Sequence, residues 1–334
     1  MAAPMMIPPA TAPEFLHRHG WGGAEIRPLA GDASFRRYFR VVHGGRTAVL
    51  MDAPPEHEDI GPFLAVAGHL LERGFAPPRP LGVDREQGLL LLEDFGDRRV
   101  APLLAQDPGP EREIYAKAVD ILARIAEEPA PADLAPYDDA AMAREVLLFT
   151  DWYGPALGLE LDPQSFLAAW RESWAGVVAA AERRPVLVLR DYHADNLMVL
   201  EDRDDLGLLD FQDALAGHPA YDLVSLLQDA RRDVSPELEA AMLDHYRLAA
   251  QVSDAAAFRA DYEVLGAQRN VKILGIFTRL WKRDGKPFYP TMHPRIWNYI
   301  DRNFRHPALA PVRAWFDANV PQRYRGDACM RAMG

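Results

Sequence analysis

Residues 186–213, VLVLRDYHADNLMVLEDRDDLGLLDFQD, constrain this chain more than any other stretch. Residues 186–189 are a short β-branched and leucine-rich run that reads as a buried strand and halts at Arg190 and Asp191. After the loop YHADN come an apolar run at 197–200, the polar turn EDRDD, and another apolar run at 206–209 that ends on Asp210. The last two runs predict a hairpin, which sets Asn196 at the start of one strand beside Asp210 at the end of the other. Asp and Asn are ordinary turn residues, so their spacing alone says little; the strand before and the hairpin after make it specific. A hard cation such as Mg2+ takes one or two oxygen ligands from protein and the rest from phosphates and water, so an amide and a carboxylate suffice. Asp191 is left for a hydroxyl.

Phosphoryl transfer divides its labour in this way: one carboxylate orients the attacking hydroxyl and accepts its proton, while metal ligands neutralise the phosphate chain. Asp191, Asn196 and Asp210 match, in order and spacing, the protein kinase pattern D-x-x-x-x-N followed by a metal-binding Asp. Two departures stand out. Leu189 and Arg190 precede the first Asp where kinases carry His-Arg and small-molecule kinases His-Gly, and Gln212 follows Phe211 where kinases carry Gly.

The rest of the chain fits around this stretch. At 334 residues it exceeds one ordinary core, and 49% apolar content suffices for two lobes. A net charge of −12 argues against nucleic acid or an anionic membrane surface as the main partner. The single cysteine, Cys329, excludes a disulfide and a zinc cluster and fits a reducing cytoplasm. The proline-broken start lacks the basic and apolar regions of a signal peptide or membrane span, so residues 1–20 read as a loose arm.

Residues 25–51 alternate strand and turn: EIRPLA, GDAS, FRRYFRVV, HGGR, TAVLM. Gly31, Asp32 and Ser34 lie in the first turn, where a nucleotide-binding lobe folds a loop over phosphates with backbone N–H groups; an ordinary hairpin turn explains the same residues. An amphipathic helix at 61–73, closed by Gly74, and two further strands, RPLGVD and QGLLLLEDFG, follow. Five antiparallel strands with a helix after the third is the build of a kinase N-lobe, which places the adenine-holding hinge at 93–96 and makes Glu93 and Phe95 nucleotide-site candidates. Asp94-Phe95-Gly96 spells the kinase metal motif but lies far upstream of the catalytic loop, so it is set aside. The expected division is an N-lobe at 21–96, a helical C-lobe at 97–310, and a tail at 311–334. In the C-lobe, Trp152, Trp170 and Trp174 fall on apolar helix faces, and Asp222 takes an N-cap position from which to hold the catalytic loop. The basic residues of 269–283, Arg269, Lys272, Arg279, Lys282 and Arg283, are either a solvated face or an attractor for an anionic substrate. Arg190 and His193, flanking Asp191, are substrate-contact candidates.

Over residues 20–305 the chain resembles the aminoglycoside phosphotransferase-like small-molecule kinases, through GDASFRRYFRV, TAVLM, LLLLEDFG, LRDYHADNLM, LLDFQDA and HPAYDLVSLL. Within that family it looks most like the bacterial cell-wall sugar kinases that act on N-acetylmuramate and N-acetylglucosamine at the anomeric hydroxyl. The resemblance implies an α+β, bilobal protein-kinase-like fold, ATP and Mg2+ as cofactors, a small amino sugar as substrate, and sugar 1-phosphates returned to cell-wall synthesis. It also implies a third-strand lysine on the α- and β-phosphates, where TAVLM puts Met51. Arg37 on the preceding strand is the first candidate to replace it. Phosphorylation of another small hydroxyl compound, or nucleotide binding without turnover, are the competing readings.

Overall fold

A computed structural model describes residues 6–31, 35–201, 203–327 and 329–330. The chain divides into two compact units, Met1–Gln106 with Asp195–Asp213, and Asp107–Ala194 with Ala214–Gly334.

The first unit opens with helix α1 (Ala12–Arg18), followed by β1 (Glu25–Gly31), β2 (Arg37–His43) and β3 (Arg46–Asp52), then α2 (Gly61–Glu72), β4 (Pro80–Asp84), β5 (Leu89–Glu93) and α3 (Val100–Gln106). The five strands form one antiparallel sheet in the order β1-β2-β3-β5-β4. Strand alternation divides its residues between two faces. Phe39, Val41, Ala48, Leu50, Leu89 and Leu91 face one way and form a core with Phe15 and Leu16 of α1. The expected loose arm is therefore a packed helix over 12–18: Pro13 sits in the first turn, where its missing N–H costs nothing, and Phe15 is fully buried.

The second unit begins with α4 (Glu111–Ile125), α5 (Asp139–Leu148), α6 (Gly154–Ala156), α7 (Pro163–Arg183) and the short strand β6 (Val186–Val188). The chain then returns to the first unit for β7 (Leu197–Val199) and β8 (Leu206–Leu208), an antiparallel hairpin as expected. It leaves through β9 (Leu215–Gly217), which pairs antiparallel with β6. Helices α8 (Ala220–Leu227), α9 (Pro236–Ala249), α10 (Ala255–Lys282), α11 (His293–Asn303) and α12 (Ala310–Asn319) complete the second unit. Trp170 and Trp174 stack in its core, and Trp152 is half-buried.

Helix α10 spans 28 residues and contacts α5, α7, α8 and α11. Gly275 lets it pass the end of α5: a Cβ there would meet the Leu148 carbonyl carbon at 2.4 Å, at the point where α5 loosens into a π-helical turn over Phe149–Tyr153. The expected polar tail is also ordered. Trp315 and Phe316 of α12 pack on Phe166 of α7, and Cys329 is buried. Among the described residues no helix is long and apolar enough to cross a membrane.

Candidate active site

In the first unit, a cavity of about 590 Å³ opens on the sheet face opposite the α1 core. Leu29, Tyr38, Val49 and Leu92 line it from the sheet, Met198 and Leu209 from the hairpin, and residues 93–97 from the end of β5. This size and apolar lining suit a small-molecule site of roughly 300–1,000 Å³.

The hairpin is sewn into this unit by backbone hydrogen bonds. Val199 N–H donates to the Arg98 carbonyl and Leu208 N–H to the Ala76 carbonyl, each at 2.9 Å. Gly207 permits close packing, since a Cβ would fall 2.7 Å from the Phe95 ring. Phe95 therefore supports the hairpin and lines the cavity. Glu93 is ion-paired to Arg203, and its backbone N–H donates to the Arg79 carbonyl at 2.9 Å. Sequence reasoning missed Arg40, which clamps this end of the cavity: its guanidinium meets Asp94 at 2.8 Å, Asp97 at 2.9 Å and the Gly96 carbonyl at 3.1 Å. The kinase-like spelling Asp94-Phe95-Gly96 thus serves as an anchor for Arg40.

At the hairpin's mouth the structure brings Asn196 and Asp210 together. The Asn196 amide donates to Asp210 Oδ2 at 3.4 Å, and Gln212 Nε2 donates to Asp210 Oδ1 at 2.8 Å. Asp210 has φ +59°, a left-handed conformation that non-glycine residues seldom adopt. No cluster of three or more His, Cys, Asp or Glu side chains forms a metal nest among the described residues. The donor chemistry nonetheless fits Mg2+, which Asp210 and the Asn196 amide oxygen would hold with the remaining ligands from phosphate and water.

The remaining nucleotide-site candidates divide. Asp32 and Ser34 lie outside the described residues, while the backbone of Gly31 ends β1 opposite Arg37. Arg37 does not face the cavity. It shares the parity of Phe39 and Val41, and its Nε donates to Asp52 at 2.8 Å. The expectation that it replaces the third-strand lysine is corrected by that alternation.

In the second unit, Asp191 follows β6 in a loop whose backbone is firmly held. Arg190 has φ +71°. The buried Asp222 carboxylate accepts the N–H groups of Leu189 at 2.6 Å and Arg190 at 2.8 Å, and Ser225 Oγ donates to the Arg190 carbonyl at 3.2 Å. Asp222 lies in the first turn of α8; the N-cap is Pro219, so the loop-holding half of the expectation stands and the capping half does not. Burial pushes the Asp222 carboxyl up to about 7, against the two N–H donors and Arg269, which favour its charge.

The flanking residues face inward. Arg190 is ion-paired with Glu145 of α5, which also accepts from Lys272 at 2.7 Å and from the Tyr137 hydroxyl. The Arg190 side chain, expected at the substrate, thus has an internal counter-charge in Glu145. His193 is buried, with Nε2 3.2 Å from the Arg231 guanidinium. Burial and that neighbouring cation lower its pKa to about 3, so it is neutral at pH 7. Of the basic stretch, Arg269 is buried and hydrogen-bonded to Ser225, and Lys272 serves Glu145; only the residues from Lys282 onward form an exposed face. Glu145 carried no local signal beyond its charge, and Arg40 only its even position on β2, shared with Tyr38.

The pattern of the "Phosphotransferase enzyme family" matches residues 25–260. This chain belongs to the phosphotransferase enzyme family. Among its relatives, the N-acetylmuramate/N-acetylglucosamine kinase of Caulobacter vibrioides is 40% identical, over 93% of this chain and 96% of that one. The enzyme of the same name from Pseudomonas aeruginosa is 39% identical, over 93% and 94% of the two chains. The ADP-bound aminoglycoside phosphotransferase APH(2'')-Ib has the same fold, with a TM-score of 0.55 at 14% identity over 85% of this chain and 95% of that one. The family's five-stranded antiparallel sheet and mainly helical remainder are the architecture described above.

Proposed function

We propose that this chain is an ATP-dependent kinase of free amino sugars, transferring the γ-phosphoryl group to the anomeric hydroxyl of N-acetylmuramate and N-acetylglucosamine. The observation that carries this reading is the near end-to-end similarity to two kinases bearing those substrates in their names, in a chain that keeps Asp191, Asn196 and Asp210.

In this reading the first unit's cavity holds the nucleotide, with adenine against Leu29, Val49, Leu92 and Met198 and the backbone of 93–96 as hinge. Asn196 and Asp210 would hold Mg2+. Bound Mg-ATP supplies the phosphoryl group and neutralises charge on the phosphate chain. Asp191 orients the sugar hydroxyl and accepts its proton as the sugar oxygen–phosphorus bond forms and the bond from the γ-phosphorus to ADP breaks, releasing ADP. Asp222 and Ser225 are positioning residues that fix the strained backbone before Asp191. The sugar 1-phosphate returns recovered peptidoglycan sugar toward nucleotide-linked precursors in the cytoplasm.

The test is ADP release from Mg-ATP against a panel of N-acetylmuramate, N-acetylglucosamine, glucose, an aminoglycoside and choline, with phosphorus NMR of the product. Turnover on the first two with an anomeric phosphate signal is expected. Turnover confined to the others would remove the amino-sugar assignment, and nucleotide binding without any turnover would leave a binding protein.

A further inference from the structure

Transfer from ATP calls for a cation on the nucleotide phosphates, and the first unit cannot supply the usual one. The chain has four lysines, Lys117, Lys272, Lys282 and Lys286, and all lie in the second unit. Met51 stands opposite Tyr38 on the cavity's sheet face, 1% exposed and without charge.

We propose that Arg36, from the segment entering β2, is the cation that meets the nucleotide phosphates in place of the third-strand lysine. This deepens the nucleotide-site reading of the first unit and does not depend on which sugar is phosphorylated. Arg36 lies just ahead of β2, two residues before Tyr38, which lines the cavity, and its contact with Asp210 carries it to that side, whereas Arg37 points to the core face. Its side chain is only 9% exposed, with the guanidinium 3.8 Å from Asp210 Oδ1 and 4.0 Å from Glu58 Oε2. Asp210, a metal-ligand candidate, itself lines the cavity. Glu58 grips the same segment twice, because its Oε1 also accepts the Phe35 N–H at 3.2 Å. A guanidinium between a carboxylate before α2 and a carboxylate at the metal position reproduces the charge relations of the missing lysine, with the cation coming from the neighbouring strand. Its planar fork is always charged and suits phosphate oxygens. Glu58 is then a positioning residue.

The experiment measures binding by calorimetry on the full chain, with ADP plus Mg2+ and with adenosine, which has no phosphate. Arg36→Ala is expected to weaken ADP by about 10-fold or more while moving adenosine less than about 2-fold. Arg36→Lys is expected to keep most of the ADP affinity and to affect kcat more than KM for ATP, since an ammonium loses the bidentate geometry. Adding Met51→Lys to Arg36→Ala, which restores a cation from the adjacent strand, is expected to recover ADP affinity by about 5-fold or more. Equal losses for ADP and adenosine, no loss for either, or a phosphate-specific loss in Arg37→Ala instead would overturn the assignment. Should Arg36→Ala fail to fold, Arg36→Gln with Met51→Lys makes the same comparison. Failure of the amino-sugar reading looks different: wild-type protein would bind ADP in an Arg36-dependent way yet turn over neither sugar.

Discussion

Glu145 offers the sharpest quantitative test of how the second unit holds its loop. Two cations, Lys272 and Arg190, converge on this one carboxylate, and its side chain and that of Lys272 are each 12% exposed. Burial alone would raise the carboxyl's pKa; Lys272 and Arg190 outweigh it and hold the group at about 2 instead of 4.5. That displacement favours the charged form by about 3 kcal/mol. Glu145→Gln keeps the shape but leaves two buried cations facing each other, a loss of about 3–5 kcal/mol by the measure of broken buried pairs. The thermal midpoint of a unit this size should fall by roughly 10 °C. The sign of the pH dependence follows from the lowered pKa: the stabilisation is complete above the unfolded carboxyl's range and is lost as pH falls toward 2. The gap between wild type and Glu145→Gln should therefore be full at pH 7 and shrink by about half at pH 3. Urea titration followed by tryptophan fluorescence reads this unit well, since six of the seven tryptophans lie in it. A loss below about 1 kcal/mol at pH 7, or an equal gap at both pH values, would refute the charge argument.

Other residues give independent tests. Asp191→Asn should lower kcat by about 10²-fold or more with ADP affinity unchanged, and a near-normal rate would remove the general-base role. Asp222→Asn should cost about 1–3 kcal/mol of stability and lower kcat without altering ADP binding, because an amide cannot accept both backbone N–H groups with the same strength. The Asp222 carboxyl, raised to about 7, contributes stability below its unfolded pKa of about 3.9 that is lost as pH rises through 7; the variant's stability between pH 4.5 and 8 should lack that decline. His293 is fully buried, neither ring nitrogen has a hydrogen-bond partner among the described residues, and burial lowers its pKa to about 3. Wild type should lose stability as pH falls from 6.5 toward 3, and His293→Phe should remove about 2 kcal/mol of that loss at pH 5, read from urea midpoints.

What could be read ahead of the structure was whatever depends on neighbours in sequence. The five strands, the helix closed by Gly74 and the hairpin with Asn196 and Asp210 at its mouth all announce themselves within a few residues. What stayed hidden depends on distant pairing. Residues 215–217, LAG, carry no strand signal of their own and become β9 only because β6 offers an edge. Arg190 looks like a loop residue ready for ligand, and its partner Glu145 lies 45 positions upstream. The basic cluster of 269–283 dissolves for the same reason, since Arg269 and Lys272 occupy the buried side of α10 and answer to Ser225 and Glu145.

Arg36 is a different case, because strand parity decides the face of its neighbours in β2 but stops short of Arg36 itself, whose placement comes from its contact with Asp210. Within β2, Phe39 and Val41 are the buried apolar residues of odd number, so the odd face goes to the core and Arg37 goes with it. Tyr38 and Arg40 then take the other face, and Arg36, just before the strand, reaches the same side at Asp210. The structure gives each an occupation there: Arg40 fastens the chain after β5 through Asp94 and Asp97, Tyr38 lines the cavity, and Arg36 reaches Asp210. Losing the third-strand lysine therefore need not leave the phosphates without a cation. The same sheet face already presents two arginines from β2 and the segment entering it, and the one beside Asp210 stands where charge is wanted.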